Sequence, residues 1–246
     1  MRYILEVEPA DITSVHKIVE NVKSHPFVQA RLKRNLDMPF SENGREAFWA
    51  TQIMCLVTTQ NKSGAGSAVD RFLSSQPFPL SWQLCKEARK VDELIESIFS
   101  TLRIRRWKLS AGYAQQNYRS LEQGGWDILE SWQKQLLVQR NKRPHPSHYI
   151  LEREAAESVQ ELFRGLGPKQ SRNFWQDMGL TRYEIPLDSR IMRWLRNSIG
   201  FYVPSSGLAD ERFYCQVMDA LRELGLAADV LPFVLDAAVF ASYETA

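Results

Sequence analysis

The sequence predicts an all-α protein. Apolar residues recur three and four positions apart through most of the chain. Alternating, strand-like runs are scarce, residues 2–7 being the one modest candidate. Glycine and proline fall between the periodic segments, as helix breakers do. In chain order, helices are expected over 11–23, 45–59, 65–74, 91–99, 104–121, 126–138, 152–163, 169–179, 189–199, 210–224 and 228–242. The later ones carry the plainest stripes. Ala156, Val159 and Phe163 share one face, as do Ile191, Leu195 and Ile199, and Phe213, Val217, Leu221 and Leu224. Residues 140–147, RNKRPHPS, hold two prolines and read as an exposed insertion. Neither an internal repeat nor a low-complexity tract is present.

A chain of 246 residues suits one large domain or two closely packed lobes. Apolar residues make up 44% and aromatics 11%, with seven Trp and twelve Phe, enough for a core and unlike a disordered chain. The net charge of +2 gives no bulk signal for nucleic acid, so a DNA-binding face requires local clustering. Residues 101–121 supply Arg103, Arg105, Arg106, Lys108 and Arg119 with no acid between them, and residues 140–148 supply Arg140, Lys142, Arg143, His145 and His148. Either run alone is an ordinary solvated face, and the two histidines read as exposed or phosphate-contacting, not as metal ligands. Cys55, Cys85 and Cys215 form no CxxC and no Cys/His cluster. Neither a zinc site nor an iron–sulfur cluster is expected, and no other cofactor. Such cysteine usage suits a reducing cytoplasm. The opening MRYILEVEPAD does not read as a signal peptide, and no apolar stretch reaches membrane-spanning length.

The most informative segment runs from 161 to 195. A helix ends near Phe163, Gly165-Leu166-Gly167 makes a tight turn, and a second helix starts at Pro168 or Lys169. Glycines there admit backbone angles closed to other residues and let the main chain approach a ligand. N–H groups of the turn and of the new helix make a nest for an anion such as a DNA phosphate. Pro168 suits a first helical position, where its missing N–H costs nothing. Taken alone, a GxG between helices is an ordinary turn, and a lysine at a helix start an exposed one.

The surroundings resemble a known family. Phe163-Arg164-Gly165-Leu166-Gly167-Pro168-Lys169 is similar to the Leu-Pro-Gly-Val-Gly-x-Lys hairpin of the endonuclease III superfamily, the helix-hairpin-helix DNA glycosylases. Ile185-Pro186-Leu187-Asp188-Ser189-Arg190-Ile191, which places Asp188 nineteen residues after Lys169, resembles the Ile-x-x-Asp-x-x-Ile context of its essential carboxylate. Phe48 to Gln60, FWATQIMCLVTTQ, resembles the apolar helix that ends in Ser/Thr-x-Gln. The resemblance implies a Schiff-base nucleophile at Lys169, an essential acid at Asp188 and a side chain at Gln60 that fills the gap left by an everted nucleotide. Phe174, Gly179 and the C-terminal Leu235-Asp236 with Phe240 resemble the compact archaeal-type 8-oxoguanine DNA glycosylases. That likeness implies a base pocket at Asp236 and Phe240. The chain departs from the pattern at Arg164, where relatives carry Pro or Lys. It departs again at Ser189-Arg190, where they often carry a residue and then His. The implied fold has two helical lobes with a cleft between them. One spans 44–184, with the hairpin at about 152–179; the other joins 1–43 to 185–246.

The chemistry explains these residue types. A base inside a duplex must be everted, at a cost of a few kcal/mol. The backbone of Gly165, Leu166 and Gly167, with Gln60, Arg105 and Arg106 on the basic helix 104–121, are the candidate DNA contacts. Breaking the bond from base to C1′ develops positive charge on the sugar, which a carboxylate such as Asp188 stabilises. Asp188 also suits the N-cap of the next helix, and both readings can hold. Keeping an ordinary lysine amine neutral near pH 7 costs about 4 kcal/mol, and the field of a helix N-terminus reduces that cost. Trp49, Trp194 and Phe240 are aromatics able to stack on a base. The first two suit a core equally well, and Phe240 stands one helical turn after Asp236. The leading expectation is a monomeric, cytoplasmic glycosylase with abasic-site lyase activity, acting on 8-oxoguanine in double-stranded DNA. Open alternatives are an oxidised pyrimidine or alkylated base as substrate, a non-catalytic DNA-binding hairpin protein, and a helical interaction protein.

Overall fold

Capping side chains set where the helices begin. Ser67, Ser81, Asp188 and Asp210 each accept a hydrogen bond from a backbone N–H in the first turn that follows. Pro9, Pro26 and Pro168 occupy first helical positions. The computed structural model describes residues 6–37, 44–61, 64 and 66–244. Among them are thirteen α-helices and no strand. They are α1 (Pro9–Val22), α2 (Pro26–Leu32), α3 (Arg45–Thr58), α4 (Ala68–Leu73), α5 (Trp82–Glu87), α6 (Val91–Thr101), α7 (Trp107–Ser120), α8 (Trp126–Arg140), α9 (Tyr149–Leu162), α10 (Pro168–Asp177), α11 (Ser189–Trp194), α12 (Glu211–Ala227) and α13 (Pro232–Glu244). No single helix among the described residues is long and apolar enough to cross a membrane.

The all-α expectation stands, and its eleven helices each have a counterpart. Two helices escaped the periodicity, α2 and α5, with seven and six residues. Segments that short span two turns at most and show little stripe. The proposed strand at 2–7 lies mostly outside the described residues, and Glu6 and Val7 are not in a strand. The helix expected from 104 begins at Trp107, so Arg105 and Arg106 lie on the turn before it, and Arg106 takes the left-handed conformation.

Two main cores form. Phe48, Trp49, Ile53, Phe99, Phe163, Phe174 and Trp175 lie in one, whose buried members run from residue 48 to 180. Val15 joins residues between 185 and 239 in the other, around Trp194, Tyr214, Val217, Leu221 and Phe233. Trp49 and Trp194 are therefore packing residues, and Trp49 Nε1 donates to the Leu80 carbonyl at 2.8 Å. A small third cluster fastens α2 to α13 through Val28, Ala237 and Ala241.

Residues 180–187 form a buried strap that carries the chain from one core to the other. Glu152 of α9 accepts hydrogen bonds from the N–H groups of Arg182, Tyr183 and Glu184 at 3.0, 2.7 and 2.9 Å. These satisfy donors that burial would otherwise leave unpaired. Glu184 pairs with Arg172 of α10 at 2.9 Å and with Arg153 of α9 at 2.8 Å. Arg140 was expected in an exposed basic loop. It is instead 4% exposed and donates to the carbonyls of Gly179 and Arg34, both at 2.9 Å. Residues 141–147 of that loop are exposed, while His148 is half-buried against Tyr183.

Arg172 is 0% and Glu184 1% exposed at their side chains. Removing Glu184's charge leaves the buried Arg172 with Glu211 as its remaining acid, so the cost falls toward the lower end of the about 3–5 kcal/mol of a broken buried pair. Glu184→Gln is expected to lose stability in that range in urea unfolding, far more than the exposed-pair substitution Glu93→Gln.

Candidate active site

The hairpin turn is shaped from three sides. Gly165 has φ of +84°, and a Cβ there would lie 2.4 Å from Tyr113 Cδ2 and 2.8 Å from Leu56 Cδ2. Only glycine fits both constraints. Asn117, buried on α7, accepts from the Arg164 N–H at 2.7 Å and donates to the Arg164 carbonyl at 3.0 Å. Leu166 turns its side chain into the first core, which leaves its main chain as the part able to meet DNA. Gly167 is the N-cap of α10, faces open space, and offers no side-chain cap. The first N–H groups of α10 therefore keep their positive field for an external anion.

Lys169 is the second residue of α10 and half-buried. Among the described residues its amine makes neither a hydrogen bond nor an ion pair. Its charge acts on the Asp236 carboxyl and on the Cys55 thiol. Asp188 is the N-cap of α11. One oxygen accepts the N–H groups of Arg190 and Ile191 at 2.8 and 3.1 Å, and the other accepts Arg190 Nη1 at 2.8 Å. The capping role is thus real, and it presents the carboxylate in one fixed orientation.

Asp236 ties these groups together. It is 7% exposed, and burial pushes its carboxyl up to about 6 from the ordinary 3.8. Arg31, the Gln176 hydrogen bond and Lys169 pull that value down, while Asp188 adds to the rise. Lys169, Asp188 and Asp236, from three different helices, therefore share one electrostatic neighbourhood. Gln176 Nε2 donates to Asp236 Oδ2 at 3.1 Å, and Arg31 Nη1 donates to Gln176 Oε1 at 2.6 Å. Phe240, one turn beyond Asp236, is stacked on Phe27 with centroids 4.4 Å apart, and the Arg190 guanidinium lies 4.2 Å from its centroid.

Sequence reasoning missed Phe27, Arg31 and Gln176 here, and noted Arg190 only as a departure. The sole signal for the first two was Pro26 opening a segment with Val28 and Leu32 at helical spacing.

On the other side of the hairpin, Gln60, Arg105, Arg106 and Gly165 line one pocket of about 180 Å³ with Leu56, Thr59, Leu109, Ser110 and Tyr113. Four residues expected to touch DNA thus come together. Arg103, Arg105 and Arg106 pair with no acid among the described residues. Gln60, Arg103 and Arg106 are left-handed at φ of 57°, 52° and 58°, a costly conformation for non-glycine residues that clusters at working surfaces. Gln170 Nε2 donates to Thr59 Oγ1 at 2.7 Å, linking the residue after Lys169 to the Gln60 turn. A larger pocket of about 470 Å³, lined by His16, Glu20 and Asp229, contains none of these residues. One group with metal-ligand character, Glu157, Glu211 and Cys215, has donor atoms within 4.8 Å of one another. The Arg172 guanidinium already bonds Glu211 there.

Two outcomes follow from this geometry. Gly165→Ala forces a clash and a strained φ together. It is expected to cost more than about 1 kcal/mol in thermal unfolding and to weaken duplex binding. Asp236 has a raised value in the folded state, so its contribution to stability is complete below about pH 4 and is lost as pH rises through 6. Asp236→Asn keeps an acceptor for Gln176 and carries no charge. Its stability relative to the parent protein is expected to rise between pH 4 and 7 by an amount on the order of 3 kcal/mol, read from denaturation at each pH.

Comparison with known proteins agrees with this architecture. No family model matches the chain, and no curated protein matches it in sequence. Among solved structures it matches the Methanocaldococcus jannaschii 8-oxoguanine glycosylase/lyase in complex with a 15-mer DNA containing 8-oxoguanine. The TM-score is 0.66 at 16% identity, over 94% of this chain and 97% of that one. It also matches a crystal structure of Methanocaldococcus jannaschii 8-oxoguanine DNA glycosylase, with a TM-score of 0.63 at 17% identity, over 94% of each chain. The chain thus has the helical fold of these archaeal 8-oxoguanine glycosylases along nearly its whole length.

Proposed function

We propose that this protein is a base-excision DNA glycosylase with abasic-site lyase activity, and that it removes an oxidised base, 8-oxoguanine, from duplex DNA. The observation that carries this reading is that Lys169, at an uncapped helix N-terminus, and Asp188 both act electrostatically on the buried Asp236. The fold shared with the two archaeal structures supports it. So does the pocket that gathers Gln60, Arg105 and Arg106 against Gly165 of the hairpin.

The hairpin N–H groups and the basic turn grip phosphates, and Gln60 fills the stack where the nucleotide left it. The lone pair of Lys169 Nζ attacks C1′ as the bond from C1′ to the base breaks, and the base leaves with that electron pair and takes a proton. Asp188 faces the positive charge that builds on the sugar. Loss of an amine proton and opening of the sugar ring give an imine between Nζ and C1′. The imine acidifies the C2′ proton. Its removal expels the 3′ phosphate oxygen with the C3′–O electron pair, which cuts the strand. Water then hydrolyses the imine and returns the lysine.

Borohydride reduces such an imine to a stable amine. The protein is expected to become covalently trapped on duplex DNA carrying 8-oxoguanine or an abasic site, while Lys169→Gln is not. Asp188→Asn is expected to slow excision by more than about 100-fold with duplex affinity within a few-fold of the parent. Absence of any trapped adduct across a panel of oxidised, alkylated and abasic duplexes would remove the amine mechanism. Excision that survives in Lys169→Gln would assign attack to water.

A further inference from the structure

Beside the lysine lies a polar pair with unused hydrogen-bonding capacity. Arg31 on α2 and Asp236 on α13 are bridged by one amide, Gln176 of α10, with contacts of 2.6 and 3.1 Å. A guanidinium carries five N–H donors. One of them reaches Gln176, and the remaining four find no hydrogen-bond acceptor among the described residues. Asp236 receives the Gln176 amide on Oδ2, and no described residue donates to Oδ1. Arg31 also rests against the Phe27 ring at 5.2 Å, and Phe27 stacks on Phe240. A cation with free donors, an anion with a free acceptor and an aromatic surface thus adjoin, within range of Lys169 and Asp188.

We propose that Arg31 is a specificity-determining residue, its free N–H groups donating to a carbonyl oxygen of the everted base while Asp236 accepts from the adjoining ring N–H. The inference rests on the glycosylase reading and sharpens it. The edge selected is a lactam, a C=O beside an N–H. Guanine carries one such edge at N1–H and C6=O. Oxidation creates a second on the five-membered ring, turning the bare N7 and the C8–H into N7–H and C8=O, and this second edge is the one assigned to the pair. Unmodified guanine at the same edge sets a lone pair against the carboxylate and offers the guanidinium no oxygen. A site built around buried polar groups rejects an analogue that leaves them unpaired by as much as about 10⁴-fold. A neutral amide pair would read the same edge with less discrimination, because hydrogen bonds to charged groups are about twice as strong.

An abasic site has no base to read, so the two activities separate this role from a structural one. Arg31→Met keeps much of the stem and its packing on Phe27 but removes every donor, and Arg31→Lys keeps the charge with a different donor geometry. Single-turnover excision of 8-oxoguanine, strand cleavage at a preformed abasic site in the same duplex, and the thermal midpoint are measured for each. Arg31→Met is expected to lower excision about 10–100-fold and to lower abasic cleavage at least tenfold less than that. Arg31→Lys is expected to recover part of the excision. If the excision and cleavage rates fall in parallel in both variants, or if excision does not fall at all, Arg31 only fastens α2 to α10 and the inference is overturned. Parent protein that neither excises nor cleaves would remove the glycosylase reading itself, and this inference with it.

Discussion

The relation between the two main cores hangs on a buried ion pair. Arg172 stands three residues after Lys169 on α10, and Glu184 stands four residues before Asp188 on the strap, with 2.9 Å between their charged atoms. Two buried charges of opposite sign tolerate little separation, because in surroundings of low polarity neither can draw on water for what it loses. The pair therefore acts as a ruler between the helix that carries the amine and the turn that carries the acid. Arg153 grips Glu184 from the second side, and Glu152 binds the strap backbone three times. The site is located by charge and backbone hydrogen bonds, while the two apolar cores supply bulk stability on either flank.

Much of this was legible in the sequence, and the legible part has a common character. The hairpin could be read because Gly165 is a residue whose backbone freedom is itself the signal, and because Pro168 marks a helix start, although Gly167 takes an ordinary extended conformation. Asp188 could be read because a capping acid before an apolar stripe is a local pattern. Long helices with a full stripe, such as α9 and α12, were placed within a few residues. What escaped was whatever depends on distant partners. Asn117 clamps Arg164 across 47 positions, and Arg31 meets Gln176 across 145. Nothing in the neighbourhood of either residue announces the contact. Arg140 illustrates the error in the other direction. It stands at the head of a basic, proline-containing run whose later residues are exposed, yet it is buried to satisfy carbonyls at Gly179 and Arg34.

The basic turn before α7 shows how strain and charge are combined. Gln60 and Arg106, two non-glycine residues with left-handed backbones, line a single small pocket, and Arg103, also left-handed, stands just before it in the chain. Arg105 is held by its N–H to Asn61 Oδ1 at 2.9 Å, so the turn is fixed by backbone contacts and its guanidinium remains available. Such an arrangement spends conformational energy to present side chains in a pose the relaxed chain would not keep. The hydrogen bond from Gln170 to Thr59 connects the Gln60 turn to the helix of Lys169, so on the proposed reading phosphate grip and chemistry would share one tied element.

The stack of Phe27 on Phe240 has a further meaning. On the glycosylase reading proposed above, the free protein already covers the ring on which a nucleobase would rest, with Phe27 and the Arg190 guanidinium both against Phe240. A guest must evict one of these tenants, and what it gains is an exchange of one flat contact for another. The hydrophobic gain of covering a bare ring is absent, so stacking contributes little to net affinity and discrimination passes to the polar edge. Eviction of Arg190 would also release the oxygen of Asp188 that it holds, so on the proposed mechanism the fate of the ring and the exposure of the acid are coupled through one side chain.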